Sequence, residues 1–153
     1  MKLILSFAIL LFAAGLYSFN SKGKSGNTST IAGTEIGIKF YEKDWNNALK
    51  EAKAKKKLIF LDAYASWCGP CKLLKKNTFT DENAGKFFNE NFINVALDME
   101  KGEGPDIGAK YGVNAFPTLI IADADGKMIT YTQGYITPEQ LIEFGQYGLT
   151  KSK

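Results

Sequence analysis

The sequence of 153 residues contains no histidine and no arginine, and it has only two cysteines. A structural zinc site needs a tetrahedron of cysteine and histidine ligands, so one copy of the chain cannot complete it, and we expect no bound metal. A metal shared between two copies remains as the alternative. Because all 19 basic residues are lysines, the net charge of +3 comes without the guanidinium groups that favour paired hydrogen bonds to phosphates and bases. We therefore expect no binding to nucleic acid.

The N-terminal region combines a lysine with an apolar run over residues 3–16, which is shorter than the about 20 residues needed to span a bilayer. This pattern predicts a signal peptide over residues 1–18, or alternatively an N-terminal membrane anchor, and hence a periplasmic or otherwise exported protein. Since the region has no cysteine, we expect no lipid attachment there. Residues 19–35 are rich in serine, glycine, threonine, lysine and asparagine, and they predict a flexible spacer.

Residues 36–153 contain alternating strand and helix signals, in a chain that is 45% hydrophobic and can bury one core. Apolar runs predict strands over residues 36–41, 58–64, 92–98, 118–122 and 127–133. Capping residues and helical spacing predict helices after Asp44, from the cysteine pair to a break near residues 77–80, from Asp81, over residues 104–111, and after Thr137. This order predicts a single α/β domain with parallel strands first and an antiparallel hairpin late.

Both cysteines lie in residues 67–72, Trp-Cys-Gly-Pro-Cys-Lys, shortly after a predicted apolar strand. A disulfide that closes so short a loop would stabilise the fold by only about 2 kcal/mol, against about 4 to 5 kcal/mol for a loop near 100 residues. The spacing therefore favours a redox-active pair over a structural cross-link, a vestigial pair or half of a shared metal site. We expect no cofactor other than the redox-active disulfide Cys68–Cys71.

The predicted helix gives the two thiols different roles. Unpaired amides and the helix dipole stabilise a thiolate at a helix N-terminus, so Cys68 is the expected nucleophile, and it is expected to lie nearer to solvent. Cys71, one turn further on, would resolve the mixed disulfide that Cys68 forms with a substrate. Because the chain has no histidine, Asp62, a carboxyl in an otherwise apolar strand, is the candidate base for the Cys71 proton. The alternative is a purely structural carboxylate.

The motif at residues 67–72, with Asp62 five residues before Trp67, resembles the active-site sequence of the thioredoxin family. The resemblance covers roughly residues 36–153 and implies the thioredoxin fold, a central mixed sheet flanked by helices. It also implies a cis peptide bond before Pro117 in a loop that faces the cysteines, where an extended substrate would add to the backbone. The substrate-binding residues that it implies are Trp67, Gly69, Pro70, Phe116, Pro117 and Gly134. The family often has a residue smaller than Phe116.

Two departures from cytosolic thioredoxins bear on the function. Thioredoxins carry a lysine near the buried aspartate on the strand that corresponds to residues 92–98, and this chain has none there. Residues 75–82 form a longer segment that resembles the periplasmic thioredoxin-like domain of thiol:disulfide interchange reductases. The Gly-Pro pair between the cysteines is similar to that of the reducing members of the family. Their reduction potential is about −270 mV, against about −120 mV for the strongly oxidising members.

These resemblances imply an exported thiol-disulfide oxidoreductase that acts as a monomer and reduces disulfide-bonded protein substrates. A membrane or soluble thiol would serve as its electron donor. Two alternatives from other functional classes remain open, namely a binding or chaperone module that works without turnover and a redox sensor anchored at the membrane.

Overall fold

The computed structural model describes residues 36–41 and 44–152, which belong to one compact unit spanning residues 33–153. The predicted signal peptide and spacer lie outside the described residues. The helices are α1 (Trp45–Lys55), α2 (Gly69–Leu73), α3 (Glu82–Asn91), α4 (Gly104–Tyr111) and α5 (Pro138–Lys151). The strands are β1 (Leu58–Tyr64), β2 (Phe92–Asp98), β3 (Thr118–Ala122) and β4 (Met128–Gln133). Within this part of the chain, no helix combines the length and apolar character that crossing a bilayer requires.

The strands form a mixed four-stranded sheet in the order β2-β1-β3-β4. β1 runs parallel to β2 and antiparallel to β3, and β3 and β4 form the predicted antiparallel hairpin. Side chains of β1 alternate between two cores: Ile59 and Leu61 pack with residues of α1 and α4, whereas Phe60 packs with residues of α3 and α5. The predicted mixed sheet flanked by helices is therefore confirmed, and Asp62 shares the face of β1 that carries Phe60.

Side chains that cap the helices explain why the predicted helices begin where they do. Asp44 accepts a hydrogen bond from the amide of Asn47 at the start of α1, and Asp81 accepts one from Ala84 at the start of α3. Thr137 and Gln140 form a reciprocal capping box at the start of α5. These local contacts mark the starts of the three helices, and at α1 the amide of Trp45 also donates to the carboxylate of the distant Glu103 at 2.6 Å.

The strand predicted over residues 36–41 is wrong, because this segment is extended but joins no ladder of the sheet. Gly37 has a φ of +98°, which interrupts a regular strand. The amide of Ile38 donates to the carbonyl of Phe79 at 2.7 Å, and the amide of Lys39 donates to the side chain of Asn89 at 2.8 Å. Isolated bonds to backbone carbonyls and to the Asn89 side chain thus take the place of a continuous ladder, and the segment lines the same cavity as Asp62.

The helix that begins at the cysteines changes its pitch where the sequence predicts a break. α2 continues into a π-helical turn, Leu74–Thr78, in which the amide of Phe79 donates to the carbonyl of Leu74 at 2.9 Å. The Thr78 hydroxyl is buried and donates to the carbonyl of Ile136 at 2.7 Å, which ties the turn to the segment before α5. The π-type bond thus continues the helical hydrogen bonding to Phe79, and α3 begins at Glu82.

Candidate active site

The two cysteines form a disulfide at the N-terminus of α2, just beyond the end of the central strand β1. Cys68 is the N-cap residue, and its sulfur accepts a hydrogen bond from the amide of Cys71 at 3.1 Å. Pro70 occupies the first turn, where its missing amide has no intrahelical partner to lose. The helix start predicted at this motif is thus confirmed, and the sulfur of Cys68 lies among the amides that can stabilise a thiolate.

The expectation that Cys68 lies nearer to solvent than Cys71 is wrong for the disulfide form. The exposed fraction is 2% for Cys68 and 6% for Cys71. Both sulfurs pack into a small cluster with Ala65, against which Phe116 is half-buried. Because this cluster buries both sulfurs at the start of α2, Cys68 is no more exposed than Cys71. The structure therefore distinguishes the two cysteines by their hydrogen bonds to the helix end, and not by burial.

The loop before β3 lies against the cysteines and has the expected cis peptide bond between Phe116 and Pro117. The amide of Gly134 donates to the carbonyl of Pro117 at 2.9 Å, and Gly134 itself has a φ of +87°. The rings of Trp67 and Phe116 meet edge to face with centroids 6.0 Å apart. Contacts therefore link four of the predicted substrate-binding residues in one continuous group, with Gly69 and Pro70 exposed beside it at the start of α2.

Trp67 is 65% exposed, yet its ring is fixed in place. Its indole nitrogen donates to the carboxylate of Glu100 at 2.8 Å. Glu100 is held in turn by Asp98, whose side chain accepts the Glu100 amide at 3.1 Å. Sequence reasoning missed Glu100, because a contact between residues 33 positions apart leaves no local pattern in the sequence. The exposed ring is thus presented in a defined orientation beside the disulfide.

Asp62 is 6% exposed in the middle of β1, and its Oδ1 atom has no hydrogen-bond partner among the described residues. In the sheet it lies between Ala96 of β2 and Leu119 of β3, neither of which can carry a charge. Burial raises the pKa of its carboxyl from the usual 3.8 to about 7, while the positive charge of Lys75 acts in the opposite direction. A carboxyl with this pKa can take up and release a proton near neutral pH.

A cavity of about 570 Å³ connects this carboxyl with the cysteine pair. Asp62 and Cys71 both line it, together with Lys72 and Lys75 from the helix that follows the pair. The rest of its wall is largely apolar and includes Ile38 of the extended segment. Sequence reasoning also missed Lys75, although its position one helical turn after Cys71 is a signal that could have placed it near the site.

Comparison with known proteins adds the decisive observation. A family model described as a thioredoxin-like domain matches residues 45–149, which include the cysteine pair, Asp62 and the cis-proline loop. The chain belongs to the thioredoxin-like family. The expected family resemblance and fold are thereby confirmed, and the pair Cys68–Cys71 is the CxxC disulfide of a family of disulfide oxidoreductases.

Individual members of the thioredoxin-like family resemble the chain to different extents. A thiol:disulfide interchange protein DsbD from Campylobacter jejuni is 27% identical over 92% of this chain, which spans only 25% of that protein. Thioredoxin H2 from Arabidopsis thaliana is 33% identical over 63% of this chain and 72% of its own length. A solution structure described as a candidate disulphide-isomerase, from Bacteroides thetaiotaomicron, is 39% identical, with a TM-score of 0.67 over 74% of this chain and 94% of that one.

Proposed function

We propose that this chain is an exported thiol-disulfide oxidoreductase that reduces disulfides in other proteins by cycling Cys68 and Cys71 between dithiol and disulfide. The observation that carries the proposal is the position of the pair. Cys68 caps α2 and accepts the Cys71 amide, and the loop of Pro117 packs beside both sulfurs. Membership of a family of disulfide oxidoreductases supports the same chemistry.

In the proposed reaction, the Cys68 thiolate attacks one sulfur of a substrate disulfide. The substrate S–S bond breaks, one substrate sulfur leaves as a thiolate, and a mixed disulfide forms with Cys68. Cys71 then loses its proton to the Asp62 carboxylate across the shared cavity and attacks the Cys68 sulfur. The second substrate thiol is released and the disulfide Cys68–Cys71 is formed. Two electrons have passed to the substrate, and a thiol donor must return them before the next cycle.

Substrate binding in this proposal uses the surface formed by Trp67, Phe116 and the backbone beside Pro117. The exposed indole and the Phe116 ring offer an apolar wall, and an extended substrate segment would pair with the backbone of the cis-proline loop. A disulfide presented by such a segment would lie over the end of α2. Disulfide-bonded proteins are therefore the proposed substrates.

Two features of the sequence support the direction and the location. The Gly-Pro pair between the cysteines resembles that of the reducing members of the family, and the apolar run over residues 3–16 resembles an export signal. A membrane or soluble thiol outside the cytoplasm would then supply the electrons.

The reduction potential of the Cys68–Cys71 pair, measured in equilibrium with a glutathione or dithiothreitol buffer, tests the direction. A value of about −270 mV would support reduction of substrates, and one of about −120 mV would contradict it.

An insulin-reduction assay with dithiothreitol as the electron source tests the activity. We expect the protein to accelerate precipitation of the reduced insulin chains, and the double variant Cys68→Ser, Cys71→Ser to match dithiothreitol alone. A wild-type protein that gives no acceleration would reject the proposal. If the double variant still suppressed the aggregation of an unfolded client as well as wild type does, a binding or chaperone role would replace it.

A further inference from the structure

A cationic side chain shares the cavity with the proposed proton acceptor and the resolving cysteine. Lys75 lies in the π-helical turn one helical turn after Cys71, and it lines the same cavity of about 570 Å³ as Cys71 and Asp62. The Oδ1 atom of Asp62 finds no hydrogen-bond donor among the described residues. Charges in the cavity wall can therefore act on this carboxyl through space.

Few ionisable groups face Asp62 from the surrounding elements. From β2 and β3 its neighbours are Ala96 and Leu119, and the extended segment contributes only apolar side chains to the cavity wall. Among the described residues that line the cavity, the ionisable side chains besides Asp62 are Tyr64, Cys71, Lys72 and Lys75. Of these, Lys75 is the one whose charge opposes the effect of burial on the pKa of Asp62.

We propose that Lys75 is a positioning residue for proton transfer, whose ammonium group favours the anionic form of Asp62 and so increases the fraction of Asp62 that can accept the proton of Cys71. This inference rests on the proposed function. During resolution, the proton passes from the Cys71 sulfur to the Asp62 carboxylate, while the Cys71 sulfur forms its bond to Cys68 and the substrate sulfur leaves. In this role Lys75 takes no direct part in the exchange of sulfur bonds. Its charge shifts the protonation equilibrium of Asp62 and so influences the pH at which resolution of the mixed disulfide becomes fast.

The positive charge near Asp62 comes from a helix in this protein and not from a strand. The strand over residues 92–98 lacks the lysine that thioredoxins carry near the buried aspartate, and in this structure β2 presents Ala96 to Asp62. The positive charge comes instead from Lys75, which lines the cavity and follows Cys71 along the same helical segment. One helix therefore brings together the resolving sulfur and the charge that prepares its proton acceptor.

The direct test is a carbon-13 NMR titration of the Asp62 carboxyl in the oxidised protein, which needs no turnover. In Lys75→Met we expect the pKa of Asp62 to rise by roughly half a unit or more, because an opposing charge has been removed. The matched control is Lys76→Met, which removes the same charge from the next residue, a lysine that is exposed like Lys75 but does not line the cavity. Lys75→Arg, which keeps the charge, should titrate close to wild type.

Single-turnover resolution of a mixed disulfide, measured from pH 6 to 9, gives the functional readout. We expect the pH midpoint in Lys75→Met to move upward with the carboxyl titration, and we expect this effect to vanish when Asp62→Asn is also present. An unchanged Asp62 titration in Lys75→Met, or an equal rise in Lys76→Met, would overturn the inference. If the titration moves as expected while the protein reduces no disulfide, the proposed function fails and the electrostatic role of Lys75 stands.

Discussion

At the scale of single residues, the hydrogen bond between the Cys71 amide and the Cys68 sulfur leads us to expect different roles for the two cysteines. It is 3.1 Å long and stabilises negative charge on Cys68, at the end of a helix whose dipole acts in the same direction. We expect Cys68→Ser to abolish disulfide reduction, and Cys71→Ser to accumulate mixed disulfides because nothing resolves them. Non-reducing electrophoresis of the trapped complexes measures both effects. Equal trapping by the two variants would contradict the assignment.

Asp62 should make the stability of the protein depend on pH in an unusual direction. Because burial raises its pKa from 3.8 to about 7, the folded protein keeps a proton that the unfolded chain releases above about pH 4. The contribution of this group to the free energy of unfolding is therefore complete at acidic pH and is lost as the pH rises through 7. The total amounts to about 4 kcal/mol for a pKa change of this size.

We expect Asp62→Asn to remove this dependence and to raise the free energy of unfolding at pH 8, because the amide has the same shape and never carries a charge. Urea unfolding of the oxidised protein at pH 4, 6 and 8 measures the effect, and the difference between variant and wild type cancels the other titrating groups. The same variant should slow resolution of the mixed disulfide and leave the first attack by Cys68 largely unchanged. A difference in unfolding free energy that stays constant with pH would show that Asp62 is charged throughout.

At the scale of secondary-structure elements, the π-helical turn depends on one buried hydroxyl. Thr78 donates to the carbonyl of Ile136 at 2.7 Å, and Thr80 makes an equally short bond to the carbonyl of Lys76 at an exposed position. Thr78→Val keeps the shape but leaves the Ile136 carbonyl without its donor, so we expect a loss of about 1 to 2 kcal/mol in the free energy of unfolding. Thr80→Val should cost much less, because water replaces the lost bond. Equal losses in urea unfolding would contradict this explanation.

The elements also show which parts of the fold a sequence can predict. The limits of β1, β2, β3 and α4 agree with the prediction, because apolar runs, caps and turn residues act locally. The strand over residues 36–41 failed for the opposite reason. Its backbone bonds go to the side chains of Asn89 and Asn94 and to the carbonyls of Phe79 and Asn94, all far along the chain. Such partners cannot be recognised in a local pattern of apolar residues.

The candidate site divides in the same way between local and distant signals. The cysteine pair, Asp62 and the cis-proline loop could be named from a short motif and its spacing. Glu100 could not, because its contact with the exposed Trp67 ring joins segments that are distant in sequence. The spacing of Lys75 from Cys71 indicates a position near the site, but only the packing around the cavity shows that it shares this cavity with Asp62. The burial of Cys68 was likewise invisible, since Phe116 covers the sulfurs from a loop that is distant in sequence.

At the scale of the whole molecule, the prediction that remains open concerns the N-terminal region. The signal pattern over residues 1–18 leads us to expect a mature chain that begins between Leu16 and Asn20 and is found outside the cytoplasm. Mass spectrometry of the protein purified from fractionated cells measures the N-terminus and the compartment together. An intact N-terminus in the soluble cytosolic fraction would overturn the location and, with it, the proposed substrates. An intact N-terminus in the membrane fraction would favour an anchor.

The positions of the two tryptophans lead us to expect that fluorescence reports the redox state of the cysteine pair. Trp67 is adjacent in sequence to the disulfide and 65% exposed, whereas Trp45, the first residue of α1, is 3% exposed in the core. Because disulfides quench nearby indole emission, we expect reduction to brighten the solvent-shifted emission of Trp67 and to leave the contribution of Trp45 constant. Fluorescence spectra of oxidised and reduced protein, compared with those of Trp67→Phe, measure this change, and a response that survives in the variant would contradict it. The fluorescence of Trp67 would then follow the redox state of the cysteine pair during turnover, and the buried Trp45 would serve as an internal reference.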